Sequence, residues 1–171
     1  MFKTGDDRFY QKYSEYREAV HSKPHIVIIQ FGTNDVMHPA WNETTFVKAY
    51  VAFIDHFKGL ETCPSIYLIV PEAYIDVNAE TENSSRELIR NRINRLLPKL
   101  IREIASVTNS VLIDGFSIMG GNGFTRKDAY GPDNLHLNDL GYIGIAHGIA
   151  EALAEHEKFY FITQKVQSSR Y

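Results

Sequence analysis

Cysteine is nearly absent from this sequence: Cys63 is the only one in 171 residues. No disulfide can form within the chain, and cysteine usage carries no information on redox compartment. Cys63 lies beside Pro64 just before an apolar run, where a small half-buried residue is expected. Long hydrophobic runs are missing too, since no stretch nears the roughly 20 apolar residues that a membrane-spanning helix needs. Neither sign of charge is in surplus. The 18 Lys and Arg stand against 21 Asp and Glu, a formal net charge of −3, which removes the basic footprint of a nucleic-acid or anionic-membrane binder. The mild cluster from Arg86 to Arg102 reads as the solvated face of a helix. Repeats, low-complexity tracts and linkers are lacking as well, so a single domain over 1–171 is expected. Met1 to Asp7 has no apolar segment of the kind found in secretion signals. Localisation cannot be read, because any such signal would precede Met1.

What is present fits a packed core: 44% of residues are hydrophobic and 23% charged, close to globular averages. His25 to Phe31 and Ser65 to Val70 are apolar runs of strand length, stopped by Gly32 and Pro71. Val111 to Ile113 is a third, ending at Asp114-Gly115. Between them, Phe46, Tyr50, Ile54 and Phe57 recur at helical spacing, with Gly59 as a stop. Ser84-x-x-Glu87 has the form of a capping box. It opens a stretch whose Ile89, Ile93, Leu96, Leu97, Leu100, Ile101 and Ile104 share one face, and Pro98 should kink or divide it. A last helix is expected after Asn138, with Tyr142, Ile145, Ala146, Ile149 and Leu153 facing inward, and an amphipathic stretch near Tyr10 to Val20 precedes the first strand. Near-continuous apolar strands alternating with helices predict an α/β fold, a parallel sheet covered on both faces.

Open α/β sheets hold ligands at the carboxyl ends of their strands. Three segments fall there: Gly32-Thr33-Asn34-Asp35, Pro71-Glu72-Ala73-Tyr74, and the loop from Asp114 to His136. Gly32 lets backbone approach a ligand closely, and the Asn34 amide can donate to a developing oxyanion. Asn or Asp after a strand is also an ordinary turn or cap residue. In Asp133-Asn134-Leu135-His136 the spacing lets the carboxylate accept from Nδ1–H, leaving Nε2 as a general base. The bland alternative is a pair that ties the loop down. Metal binding is another, but no further acidic or His cluster has ligand spacing, and neither a metal nor a cofactor is expected. Tyr74 and Trp41 could line a groove at this edge, although aromatics at strand ends more often pack.

Together, Ile-Val-Ile-Ile-Gln-Phe-Gly-Thr-Asn-Asp and Asp-x-x-His-Leu-Asn-x-x-Gly-Tyr resemble two sequence blocks of the SGNH (GDSL-type) hydrolases, and the segments between follow in similar order. The resemblance implies a three-layer α/β/α, flavodoxin-like fold and a small-molecule ester as substrate, acyl or acetyl, carbohydrate esters among them. It implies His136 as general base, Asp133 as its orienting partner and Asn34 as oxyanion donor. Gly32, Thr33 and Tyr74 would contact substrate.

Members of that family begin with a strand leading into Gly-Asp-Ser, whose serine is the nucleophile, and this sequence holds no such triplet. Gly5-Asp6-Asp7 has Asp where the serine belongs and no apolar strand before it. Ser117, after the third apolar run, is the least unsuited of the other serines. Without the early strands, His25 to Phe31 would lie on an open edge, a template for pairing with another chain. Two expectations follow: an ester hydrolase whose nucleophile is not in this sequence, or a non-catalytic binding module, a homodimer through that edge.

Overall fold

The three apolar runs become the three strands of one parallel sheet. This is a computed structural model, and it describes residues 10–75, 84–123 and 126–168. Strands β1 (Ile26–Ile29), β2 (Ser65–Ile69) and β3 (Val111–Ile113) lie in the order β1-β2-β3. Ile28 pairs with Tyr67, and Tyr67 with Val111. β1 is shorter than the run His25 to Phe31 suggested. Its ladder begins with His25 accepting from the Ser65 N–H at 2.9 Å, and β2 ends as it reaches Pro71, which has no N–H to extend it.

Because side chains alternate across a strand, the sheet divides the core in two. On one face Ile66, Leu68 and Val70 pack with α3 (Glu43–Lys58) and α5 (Leu97–Val107). On the other, Tyr67, Ile69 and Ile113 meet Ile145, Ile149 and Leu153 of α7 (Asp139–Ser168). This is the α/β/α arrangement expected. The Asn42 side chain caps α3 by accepting from the Thr45 N–H at 3.0 Å, and α3 buries Phe46, Tyr50, Phe53, Ile54 and Phe57. The amphipathic opening stretch contains α1 (Ser14–His21).

Pro98 divides its helix rather than bending it. α4 (Ser84–Asn91) runs into a π-turn at Arg92–Leu96, and α5 follows. Pro98 has no N–H to give to the carbonyl four residues back, and its ring would crowd that carbonyl. The wider turn absorbs the mismatch, with the Leu97 N–H reaching the Arg92 carbonyl.

Three expectations about individual residues are corrected. Cys63 is exposed, not half-buried, because the chain turns there with φ of 45°. Tyr142 and Ala146 face outward, Tyr142 with 60% of its surface exposed. α7 lies over β2 and β3, so of the residues expected to face inward Ile145 and the half-buried Ile149 and Leu153 reach the sheet. For the same reason Ile26 and Ile28 of β1 are each 41% exposed. Among the described residues β1 is paired on one side only, and no helix is long and apolar enough to cross a membrane.

Candidate active site

The segments that follow β1 and β2, together with the loop before α7, meet at a cavity of about 770 Å³. After β1 the chain passes through Gly32 with φ of 129°, and a Cβ there would lie 2.5 Å from Leu97 Cδ1. Only glycine meets both conditions. The short helix α2 (Thr33–Met37) starts at once. Asp35 and Val36 are buried beneath it, while Asn34 is exposed and lines the cavity with Gly32 and Thr33.

The loop before α7 is shaped by local hydrogen bonds. Tyr130 and Leu137 form an antiparallel bridge. Within it Gly131 N–H donates to the His136 carbonyl at 2.8 Å, and Asn134 N–H to the Gly131 carbonyl at 3.1 Å. Asn134 takes a left-handed φ of 57°, a conformation asparagine tolerates better than most residues. This folds the chain back over Asp133, whose Oδ1 accepts from Leu135 N–H at 3.1 Å and His136 N–H at 3.0 Å. Its Oδ2 lies 2.6 Å from His136 Nδ1.

The electrostatics follow from that geometry. The hydrogen bond from the His136 ring and the two backbone N–H groups hold the Asp133 carboxyl down at about 2. The same hydrogen bond, then the charge of Asp133, raise His136 above its ordinary 6.5. Nδ1–H directed at a carboxylate leaves Nε2 to the cavity. Asn138 fixes the end of the loop. Its amide donates to the Asp128 and Tyr130 carbonyls at 2.7 and 3.1 Å, and its oxygen caps α7 by accepting from Leu140 N–H at 2.9 Å. Gly141 passes so close to the Ala129 carbonyl that a Cβ would sit 2.4 Å from it.

Glu72 is a site residue that sequence reasoning did not single out. It follows Pro71 at the end of β2, lines the same cavity and accepts from Gln30 Nε2 at 2.7 Å. Burial pushes its carboxyl up despite that bond. An acid at a strand's carboxyl end was the available signal. Tyr10, Tyr13 and Tyr142 complete an aromatic rim.

Other candidates stand apart from the cavity. Tyr74 is half-buried against the core, and its backbone is held by Asn94. Trp41 lies under Arg92, 5.1 Å from the guanidinium carbon. The Ser117 hydroxyl bonds Asp114 Oδ2 at 2.9 Å, and Asp114 is itself paired with Arg102 at 2.8 Å. Gly5-Asp6-Asp7 lies outside the described residues. Among those described, no group of three His, Cys, Asp or Glu side chains is placed to hold a metal ion.

A parallel α/β/α sheet with an Asp–His pair and an Asn at the carboxyl ends of its strands defines a class, and sequence comparison identifies it. The model of the GDSL-like lipase/acylhydrolase family matches residues 4–142, and the chain belongs to that family. No curated protein matches it. Among solved structures, a GDSL-like lipase from Bacteroides thetaiotaomicron superposes with a TM-score of 0.63 at 21% identity, over 86% of this chain and 71% of its own. An acetylxylan esterase from Geobacillus stearothermophilus gives 0.61 at 20% identity, over 84% and 65%. A lipase/acylhydrolase from Enterococcus faecalis gives 0.60 at 23% identity, over 82% and 66%. The chain thus spans about two thirds of the length of these proteins.

Proposed function

We propose that this domain carries the base and oxyanion half of an ester hydrolase acting on acyl or acetyl esters, carbohydrate esters among them. The observation that carries this reading is the Asp133–His136 pair, 2.6 Å apart, whose His136 lines the same cavity as Asn34. The acetylxylan esterase among the fold relatives supports the substrate class.

The chemistry runs as follows. A serine hydroxyl attacks the ester carbonyl while His136 Nε2 takes its proton, and Asp133 holds the resulting imidazolium. The Asn34 amide donates to the oxyanion, a contact worth about 2.7–4 kcal/mol in other hydrolases. Collapse expels the alcohol, which leaves with the proton from His136, and the acyl group stays on the serine. Water then repeats the cycle through the same base and releases the acid. Thr33 and the backbone at Gly32 contact substrate beside the oxyanion. No Gly-Asp-Ser occurs in the sequence, and no serine lines the cavity among the described residues. In this reading the nucleophile is a serine from outside these 171 residues, and this chain alone is inactive or nearly so.

To test this, the natural transcript is sequenced upstream of Met1. The encoded protein and the 171-residue chain are then assayed with p-nitrophenyl acetate. An upstream Gly-Asp-Ser, with a product burst equal to enzyme concentration in the longer form alone, is the expected result. Turnover in the longer form that survives replacement of that serine by alanine would remove the covalent route. No turnover in either form would favour a second reading, a binding or assembly module, which the exposed Ile26 and Ile28 of β1 support.

A further inference from the structure

The π-turn between α4 and α5 lies outside the cavity, yet its side chains reach two of the three segments that form it. We propose that Asn94 and Arg92 on this turn are positioning residues, which fix the loop after β2, and through it the Asp133–His136 loop, against the helix that carries Asn34. The proposal rests on the reading of Asp133, His136 and Asn34 as the site.

Asn94 is buried, with 4% of its surface exposed. Its amide oxygen accepts from the Tyr74 N–H at 2.8 Å, and its amide nitrogen donates to the Tyr74 carbonyl at 2.9 Å. One side chain thus replaces the strand neighbour that this stretch of backbone lacks, satisfying both groups of one residue. The next residue carries the connection onward: Ile75 N–H donates to the Asn134 carbonyl at 2.9 Å. Asn134 is the left-handed residue inside the turn that brings His136 onto Asp133. Asn94, residues 74–75 and the Asp133–His136 loop therefore form a series of links, each made by a directional hydrogen bond. The same loop carries Glu72 into the cavity.

Arg92 holds the other side. Its Nη1 donates to the carbonyls of Val36 and His38 at 3.1 and 3.4 Å. These lie at the carboxyl end of α2, whose final carbonyls have no partner within so short a helix. The guanidinium is braced over the Trp41 ring. Leu97, the first residue after the turn, is the side chain against which Gly32 packs without a Cβ. One irregular turn thus meets the backbone at Gly32, the end of the Asn34 helix and the loop after β2. π-turns inside α-helices often coincide with functional sites. Here the turn gives the segment two inward polar side chains two residues apart.

The experiment follows the His136 ring by NMR titration and the backbone amides by native-state hydrogen exchange, in the 171-residue chain and without substrate. Wild-type His136 should titrate above 6.5, with Asp133 and Glu72 as the charges it senses. In Asn94→Leu, protection of the Ile75 amide should fall at least tenfold, and His136 should move toward 6.5. Ile93→Val removes a buried methyl next door and should lower thermal stability without moving either reading, as a purely structural role would in both variants. Asn94→Leu that folds, keeps Ile75 protected and leaves His136 unmoved overturns the proposal. If that variant does not fold, the wild type decides. The Tyr74 and Ile75 amides should then exchange through one opening with equal protection, and a tenfold difference between them overturns the series of links. A wild-type His136 that titrates at its ordinary value instead overturns the site reading itself.

Discussion

Asp133 places three hydrogen bonds within four residues of chain, two from backbone N–H groups and one from the His136 ring. The carboxylate is thus oriented by the turn before it meets the imidazole, and it cannot rotate away without losing all three. Replacing it with asparagine would present an N–H to Nδ1 and favour the wrong tautomer. In Asp133→Asn, His136 is therefore expected to fall toward its ordinary value, as read by NMR. The stability difference between the two proteins has a defined pH window. A carboxyl lowered from 3.8 to about 2 stabilises above 3.8 and loses that contribution as pH falls toward 2. A raised imidazole stabilises below 6.5 and loses its contribution as pH rises through the higher folded value. The advantage of wild type over Asp133→Asn should therefore be greatest between these limits and shrink on both sides. Urea unfolding at several pH values checks this, and a difference that grows steadily with pH would contradict it. Both groups are exposed, so the effect will be small.

At the scale of elements, the join between the site loop and α7 depends on closeness as much as on hydrogen bonds. Gly141 lies in the first turn of α7, against the Ala129 carbonyl and the Leu137 side chain, at 2.4 and 2.8 Å from where a Cβ would stand. Backbone is the obstacle, and it cannot step aside as a flexible side chain would. Gly141→Ala should destabilise by about 1–3 kcal/mol through overpacking, against the gain alanine normally brings inside a helix. Urea unfolding with unchanged slope measures it, and a neutral or stabilising result would mean that α7 docks less tightly than its geometry indicates. Much of this element was legible in the sequence. Asp-x-x-His-Leu-Asn-x-x-Gly is a run of local interactions, each residue acting on a neighbour within a few positions, and the strands announced themselves through β-branched runs. Glu72, Asn94 and Arg92 were not legible as parts of the site. Asn94 meets Tyr74 across 20 residues and Arg92 meets Val36 across 56, and no local pattern encodes such contacts. The outward Tyr142 was misread because helical periodicity gives the apolar stripe but not how far the sheet beneath extends.

At the scale of the whole molecule, the sheet is broader than its cover. On the face carrying Tyr67 and Ile69, α7 packs over β2 and β3, while Ile26 and Ile28 of β1 remain 41% exposed beside it. The outer N–H and C=O groups of β1 have no strand opposite them among the described residues. A short apolar edge of this kind invites another strand, because pairing satisfies the backbone and buries the isoleucines in one step. In the 171-residue chain, we expect that strand to come from a second copy. Sedimentation velocity over a micromolar range should show a concentration-dependent dimer. Ile28→Lys should abolish it, since a charged side chain on an edge opposes pairing, while changing the stability of the monomer by no more than about 0.5 kcal/mol. A wild-type chain that stays monomeric throughout that range would remove the assembly reading. Loss of the dimer together with loss of folding in Ile28→Lys would show instead that β1 depends on its own apolar face, and that the edge is held by the fold rather than offered to a partner.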